Sequence, residues 1–97
     1  MAKPKVKIPP RVRVTAKRDY EVLFVDDFKD GKTLGECRYD PPQIVIKTGQ
    51  SDRETIKTFI HEMVHAIDAE TGVGLTETQV RKLEEGIYRA MRLNKWL

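Results

Sequence analysis

Residues 58–68 have the sequence Thr-Phe-Ile-His-Glu-Met-Val-His-Ala-Ile-Asp, and they contain both histidines of the chain, His61 and His65. On an α-helix, residues four apart project from one face, so the two imidazoles would lie side by side. Two neutral imidazoles can bind Zn²⁺ and leave a coordination position open. Glu62 would lie beside that position, where a carboxylate can take the proton of a zinc-bound water as it attacks a carbonyl. The stretch therefore predicts a helix with a hydrolytic zinc site, and the simpler alternative is two histidines on an amphipathic helix.

The helix around this motif has clear start and stop signals. Ser51 and Glu54 form the pattern Ser-x-x-Glu of a capping box, and Gly72 and Gly74 end the helical pattern. Apolar residues recur between them at intervals of three and four, which predicts one broad face for the core: Ile56, Phe59, Ile60, Met63, Val64 and Ile67.

A second helix is predicted directly after the first. Thr76 and Gln79 make another capping box, and an apolar stripe continues to about Leu93. The connection from about Gly72 to Leu75 is short, so the two helices should be antiparallel or steeply crossed neighbours. This arrangement would bring the start of the second helix near His65.

The first half of the chain predicts strands. Residues 11–15 alternate charged and apolar side chains, whereas residues 20–25, 34–39 and 43–47 are rich in strand-forming residues and are separated by turn signals. We expect an α+β fold, with a small, mainly antiparallel sheet followed by two packed helices. Residues 1–97 should form one domain, in which residues 1–10, with three prolines, form an extended basic arm.

Composition excludes several classes of protein. The 97 residues are 39% hydrophobic and 34% charged, which suits a globular domain, and no apolar run approaches the length of a membrane span. A single cysteine, Cys37, favours a reducing, cytoplasmic setting. Much of the excess positive charge lies in the first eighteen residues, so nucleic acid is an alternative partner, although such a segment is more often a solvated arm or one face of an edge strand.

Two histidines leave a catalytic zinc one protein ligand short. Glu77, in the first turn of the second helix, is the preferred third ligand, because it could face the metal across the helix pair. Asp68 is an alternative ligand, although we expect it to orient a histidine instead; a solvated acid is the simpler alternative for this residue. Glu84 and Glu85 lie further along the second helix and are further candidates, as are a water molecule and a residue of another chain.

A hydrolytic site also needs a donor for the negative charge that develops on the carbonyl oxygen. Tyr39, Tyr88 and the arginines are the candidates, and nothing in the spacing chooses among them. Cys37 could in principle bind zinc as a thiolate, but a lone cysteine in a strand is more often a small buried hydrophobic residue.

The order of these features resembles a known family. A β-branched strand, the helix with His61-Glu62-Met63-Val64-His65, and Glu77 opening the next helix are similar to zincin metallopeptidases of the gluzincin type, in particular the short ImmA/IrrE-like and phage-encoded metallopeptidases. The resemblance covers about residues 20–93. It implies a zincin-like minimal catalytic domain in which His61, His65 and Glu77 bind zinc and Glu62 is the base.

The resemblance also implies a mode of substrate binding. In that family a strand edge above the metal can pair with an extended substrate backbone, and residues 43–47 would be that strand. Two functions are therefore expected from the sequence. The first is a zinc metallopeptidase acting on a protein or peptide, and the alternative is a non-catalytic zinc-bound module that binds a regulatory protein or DNA. A membrane partner is not expected.

Overall fold

The computed structural model describes residues 8–97, in which a four-stranded sheet precedes two helices. The strands are β1 (Arg11–Thr15), β2 (Arg18–Val25), β3 (Gly35–Tyr39) and β4 (Pro42–Lys47). The helices are α1 (Asp52–Thr71) and α2 (Glu77–Leu93). The predicted α+β class is confirmed, as are the four strands, to within two residues at their ends. The predicted arm is described only at residues 8–10, since residues 1–7 lie outside the described part of the chain.

The strand order of the sheet is β1-β2-β4-β3, so β4 is an inner strand. It pairs in parallel with β2 and antiparallel with β3, and the β1–β2 pair is antiparallel. The prediction that residues 43–47 offer a free edge to a substrate is therefore wrong, because both edges of β4 are already paired. The hairpin through Asp40 and Pro41 folds β3 onto β4, and β3 becomes the edge strand instead.

One face of the sheet packs on α1. Alternate residues of β2 and β4 point to this face and meet Ala66 of α1, because successive side chains of a strand alternate between faces. The buried members of this cluster are Tyr20, Val22, Ile44, Ile46 and Ala66. The Tyr20 hydroxyl donates to Glu70 Oε2 at 2.8 Å, so the end of α1 is also tied to the sheet by a polar contact.

The opposite side of α1 packs on α2. Ile60 and Val64 of α1 are buried against Val80 of α2, with Ile87 and Met91 at the margin of the cluster. The apolar residues of α1 thus pack against two partners, the sheet and α2. Part of this face remains outside the core, because Ile67 is 41% exposed. The remaining face of α1 and the first turns of α2 border a cleft beside β3.

Both helix starts and the turn between the helices follow the sequence signals. Ser51 accepts the Glu54 N–H, and Thr76 and Gln79 form a reciprocal capping box. Gly72 follows α1 with φ of 70°, a left-handed conformation that glycine adopts without steric cost. Neither helix in residues 8–97 is long and apolar enough to cross a membrane.

Candidate metal centre

The side chains of His61, His65 and Glu77 meet at one point of the cleft. His61 Nε2 lies 2.8 Å from Glu77 Oε1, and His65 Nε2 lies 3.1 Å from Glu77 Oε2. One donor atom from each residue falls within 4.8 Å of the others. The structure therefore brings together the three ligands predicted from the sequence.

The meeting of these groups follows from the helix pair. The histidines are one turn apart on α1, and their ring centroids are 5.0 Å from each other. The loop after Thr71 reverses the chain, so α2 starts alongside the second half of α1. Glu77 is the first residue of α2, and its side chain reaches back over both imidazoles.

Glu84 holds the outer nitrogen of His61. Its Oε1 lies 2.9 Å from His61 Nδ1, and its Oε2 lies 3.6 Å from Lys57 Nζ. Lys57 also pairs with Glu85, so a chain of charged groups runs from the surface to the histidine. A carboxylate at Nδ1 fixes the ring and directs Nε2 toward the cleft, as carboxylates next to metal-binding histidines commonly do. Glu84 therefore contacts a candidate ligand, whereas Glu85 contacts Lys57.

The expectation that Asp68 orients a histidine is wrong. Its carboxylate accepts the backbone N–H groups of Gly74, at 2.7 Å, and Leu75, at 3.2 Å. Asp68 thus stabilises the loop between the helices. Asp68 lies in the last turn of α1. The backbone N–H groups of the following loop are therefore within hydrogen-bond distance of its carboxylate. The sequence gave no indication that the carboxylate next to a histidine would instead be Glu84, which contacts His61 from α2.

Glu62 lies beside the three donors but points toward the sheet. The residue is only 8% exposed, and β3 covers it at Gly35. A Cβ at position 35 would lie 2.5 Å from Thr58 Cγ2 and 3.1 Å from Glu62 Cγ, so only glycine allows this approach. Burial, opposed by His61 and reinforced by nearby Glu77, raises the pKa of the Glu62 carboxyl to about 7. A carboxyl with a pKa near neutrality suits a general base.

The cleft that contains these groups has a volume of about 770 Å³. Tyr39 and Arg81 both line it, and each is a possible donor to a developing oxyanion. Tyr88 is not part of the lining; its ring lies against the cations of Arg53 and Lys57. Cys37 lines the cleft from β3 but also packs on the core, and burial raises the pKa of its thiol to about 11. The donor atoms that converge in the cleft are those of the two imidazoles and Glu77, and Cys37 is not among them.

The donor set has the chemistry that zinc requires. Two imidazole nitrogens and one carboxylate are a common protein ligand set of catalytic zinc, which leaves a fourth position open. Ligand atoms of tetrahedral zinc lie about 3.3 Å apart when each bond is about 2.0 Å. The contacts of Glu77 with the two imidazoles, 2.8 and 3.1 Å, are close to that spacing. The residues therefore fit a zinc ion in the type of their donor atoms, which lie within 4.8 Å of one another.

Comparison of the chain with protein-family models, with curated proteins and with solved structures found no match.

Proposed function

We propose that the chain is a zinc-dependent metallopeptidase of the zincin type. The observation that carries this proposal is the convergence of His61, His65 and Glu77 in one cleft, with the buried Glu62 beside them. A purely structural zinc needs neither an open position nor a base next to it. The arrangement of the four residues therefore favours hydrolysis over a closed structural site.

Each side chain has a distinct part in the proposed reaction. A bound zinc would lower the pKa of water and polarise the substrate carbonyl. Glu62 accepts a proton from the water as its oxygen bonds to the carbonyl carbon, and it passes that proton to the amide nitrogen as the C–N bond breaks. The nearby cation would favour the ionised form of Glu62 and so restore the base that burial suppresses. Arg81 or Tyr39 can donate to the carbonyl oxygen from the cleft wall.

The edge strand β3 is the proposed support for the substrate backbone. Lys47 donates its N–H to the Leu34 carbonyl at 2.9 Å, so Leu34 faces β4. Polar groups alternate along an antiparallel strand, and the N–H and C=O of Gly35 and Cys37 therefore point away from β4. An extended peptide could pair with these groups, as in other cases of strand addition. Because Gly35 rests on Glu62, the paired peptide would pass next to the base.

The first test is to measure zinc per chain after chelator treatment and zinc addition. We expect about one zinc per chain, and we expect the Glu62→Gln variant to bind the same amount. Peptide hydrolysis, measured with a fluorogenic peptide library, should fall at least 100-fold in this variant, because a positioned general base typically contributes a factor of 10² or more.

Two outcomes would contradict the proposal. Absence of zinc at micromolar metal would remove the metal centre, and a fully active Glu62→Gln variant would remove the assigned base. Zinc binding by the wild-type chain with no hydrolysis of any library member would support the alternative, a non-catalytic zinc-bound module.

Glu77→Gln tests the third ligand separately. The amide keeps the size of the side chain but is a weaker ligand, so we expect zinc affinity to fall by about 10-fold or more. Competition with a chromophoric chelator measures this affinity. Glu54→Gln is a matched control, since Glu54 lines the same cleft but lies outside the three-donor cluster. Equal affinities of the Glu77→Gln variant and the wild type would move the third ligand to another residue.

A further inference from the structure

A row of cations lies on the solvent side of α2 and leads away from the metal centre. Arg81, Lys82, Arg89 and Arg92 are all exposed there, and Arg53 of α1 lies beside the C-terminal half of the row. We call these five residues the basic track. Positions 81, 89 and 92 fall within a quarter turn of one another on a helix, so their side chains share one face.

The basic track follows two grooves that share lining residues with the cleft: Arg81 and Glu85 in the first groove and Glu85 in the second. The first groove, about 410 Å³, is lined by Arg81, Lys82 and Arg89, and the second, about 590 Å³, by Arg53, Arg89 and Arg92. Arg81 also lines the cleft of the metal centre. From position 81 to position 92 the helix rises about 16 Å, the length of roughly five extended residues. A polypeptide that leaves the cleft on this side would therefore meet the track.

The cations of the track have few partners within the protein. The side chains of Lys82, Arg89 and Arg92 form no hydrogen bond or ion pair within residues 8–97, although Arg89, after Lys57, helps to lower the pKa of nearby Glu85. Glu85 is the one carboxylate that lines these grooves, and it pairs with Lys57. Arg81 Nε lies 3.9 Å from Glu77 Oε1, so Lys82, Arg89 and Arg92 are the cations of the track that are most available to a ligand of opposite charge.

We propose that the basic track binds an acidic segment of the polypeptide substrate, next to the residues that occupy the cleft. This inference rests on the proposed peptidase function, since the cleft must hold a polypeptide. Carboxylates of the segment would pair with the guanidinium groups, which accept carboxylates in a two-pronged geometry. The track would then select substrates by an acidic stretch on one side of the cleaved bond.

The cleft itself argues against nucleic acid as the ligand. Glu36, Glu54, Glu77 and Glu84 line it, whereas Lys57 and Arg81 are its only cationic lining residues among those the structure describes. A nucleic acid carries phosphates along its whole length and would bring them toward these carboxylates. An acidic peptide carries charge only at chosen side chains, so it can place charge on the track and neutral residues in the cleft.

The test is a binding assay that does not depend on hydrolysis. The probe is a fluorescein-labelled peptide with eight glutamates next to a Gly-Ser segment, and its match has glutamines in their place. Fluorescence anisotropy at low salt should show that the wild-type chain and the Glu62→Gln variant bind the glutamate peptide and not the glutamine peptide. The double variant Arg89→Gln/Arg92→Gln should bind it about five- to tenfold more weakly, because each exposed ion pair contributes a factor of several at most.

The control variant is Lys29→Gln/Lys32→Gln, which removes the same charge from an exposed loop away from the track. It should bind the glutamate peptide as the wild type does. Equal losses in both double variants, or equal binding of the two peptides, would overturn the proposal. So would tighter binding of a 20-base-pair DNA duplex through Arg89 and Arg92. Because these readouts need neither zinc nor Glu62, failure of the peptidase proposal would be seen separately in the zinc and hydrolysis assays.

Discussion

The Glu84 carboxylate lies between a candidate zinc ligand and a lysine, with 15% of its side chain exposed. From that position it holds His61 through Nδ1, so that Nε2 is the nitrogen available to a metal. A residue of this kind contributes to affinity without binding the metal itself. Because of this contact, replacement of Glu84 should change zinc affinity more than replacement of the adjacent Glu85.

We expect Glu84→Gln to weaken zinc binding by about 10- to 100-fold, the usual effect of removing a carboxylate behind a metal-binding histidine. Glu85→Gln is the matched control, because Glu85 contacts Lys57 and not the histidine. Chelator competition on both variants measures the difference. Thermal unfolding of the zinc-free proteins should be similar, and equal zinc affinities would contradict the assigned role of Glu84.

At the scale of elements, the contact between β3 and α1 depends on a single missing side chain. Gly35 brings the strand against Thr58 and Glu62, and this contact both buries Glu62 and makes β3 a wall of the cleft. The loop between the helices positions α2 in turn. Asp68 accepts hydrogen bonds from two backbone N–H groups of this loop, and these bonds fix the position of Glu77 at the start of α2.

Gly35→Ala should lower the free energy of unfolding by about 1–3 kcal/mol, the usual cost of forcing extra atoms into a packed site. The added methyl group would press on Thr58 and Glu62. Gly86→Ala is the opposite control, because nothing lies within 4 Å of a Cβ at that position of α2. It should stabilise the protein by about 0.5–1 kcal/mol through helix propensity. Urea unfolding of both variants measures whether the free energy of unfolding falls or rises. A Gly35→Ala variant with the same free energy of unfolding as the wild type would contradict the close packing of β3 on α1.

At the scale of the whole molecule, the core holds two weak acids in their neutral forms. Burial and the hydrogen bond with Glu70 raise the pKa of Tyr20 to about 12, and burial raises that of Cys37 to about 11. Both groups line the contact between the sheet and α1. Ionisation of Cys37 would place a charge in a half-buried site, and ionisation of Tyr20 would place one beside the Glu70 carboxylate.

Stability should therefore fall at alkaline pH. In the unfolded chain the thiol and the phenol lose their protons near their ordinary pKa values of 9.0 and 10.0, before they do so in the folded protein. The unfolded state then binds fewer protons than the native state, so the free energy of unfolding decreases as pH rises from about 9 to 12. Urea midpoints at successive pH values measure this slope, which Cys37→Ala should reduce. A midpoint that is constant from pH 8 to pH 11 would contradict the neutral burial of both groups.

The local pattern of the sequence was sufficient for much of the fold and the candidate site. Capping residues predicted where both helices start, and the four-residue spacing predicted that His61 and His65 share a face. These features depend on residues within one or two turns of each other, and short-range sterics and hydrogen bonding determine them. The short loop after Thr71 then made Glu77 the preferred candidate for a third ligand.

Only the tertiary structure showed which strand lies at the edge of the sheet and which carboxylate holds His61. Residues 34–39 and 43–47 both have the pattern of strands, and pairing between segments distant in sequence decided that β4 is inside and β3 outside. Asp68 and Glu84 are both acids near the motif in space, but the packing angle of two helices decided that Glu84 contacts the histidine and Asp68 the loop. Local spacing fixes the face on which a side chain lies, whereas the partner of that face depends on how the separate elements pack.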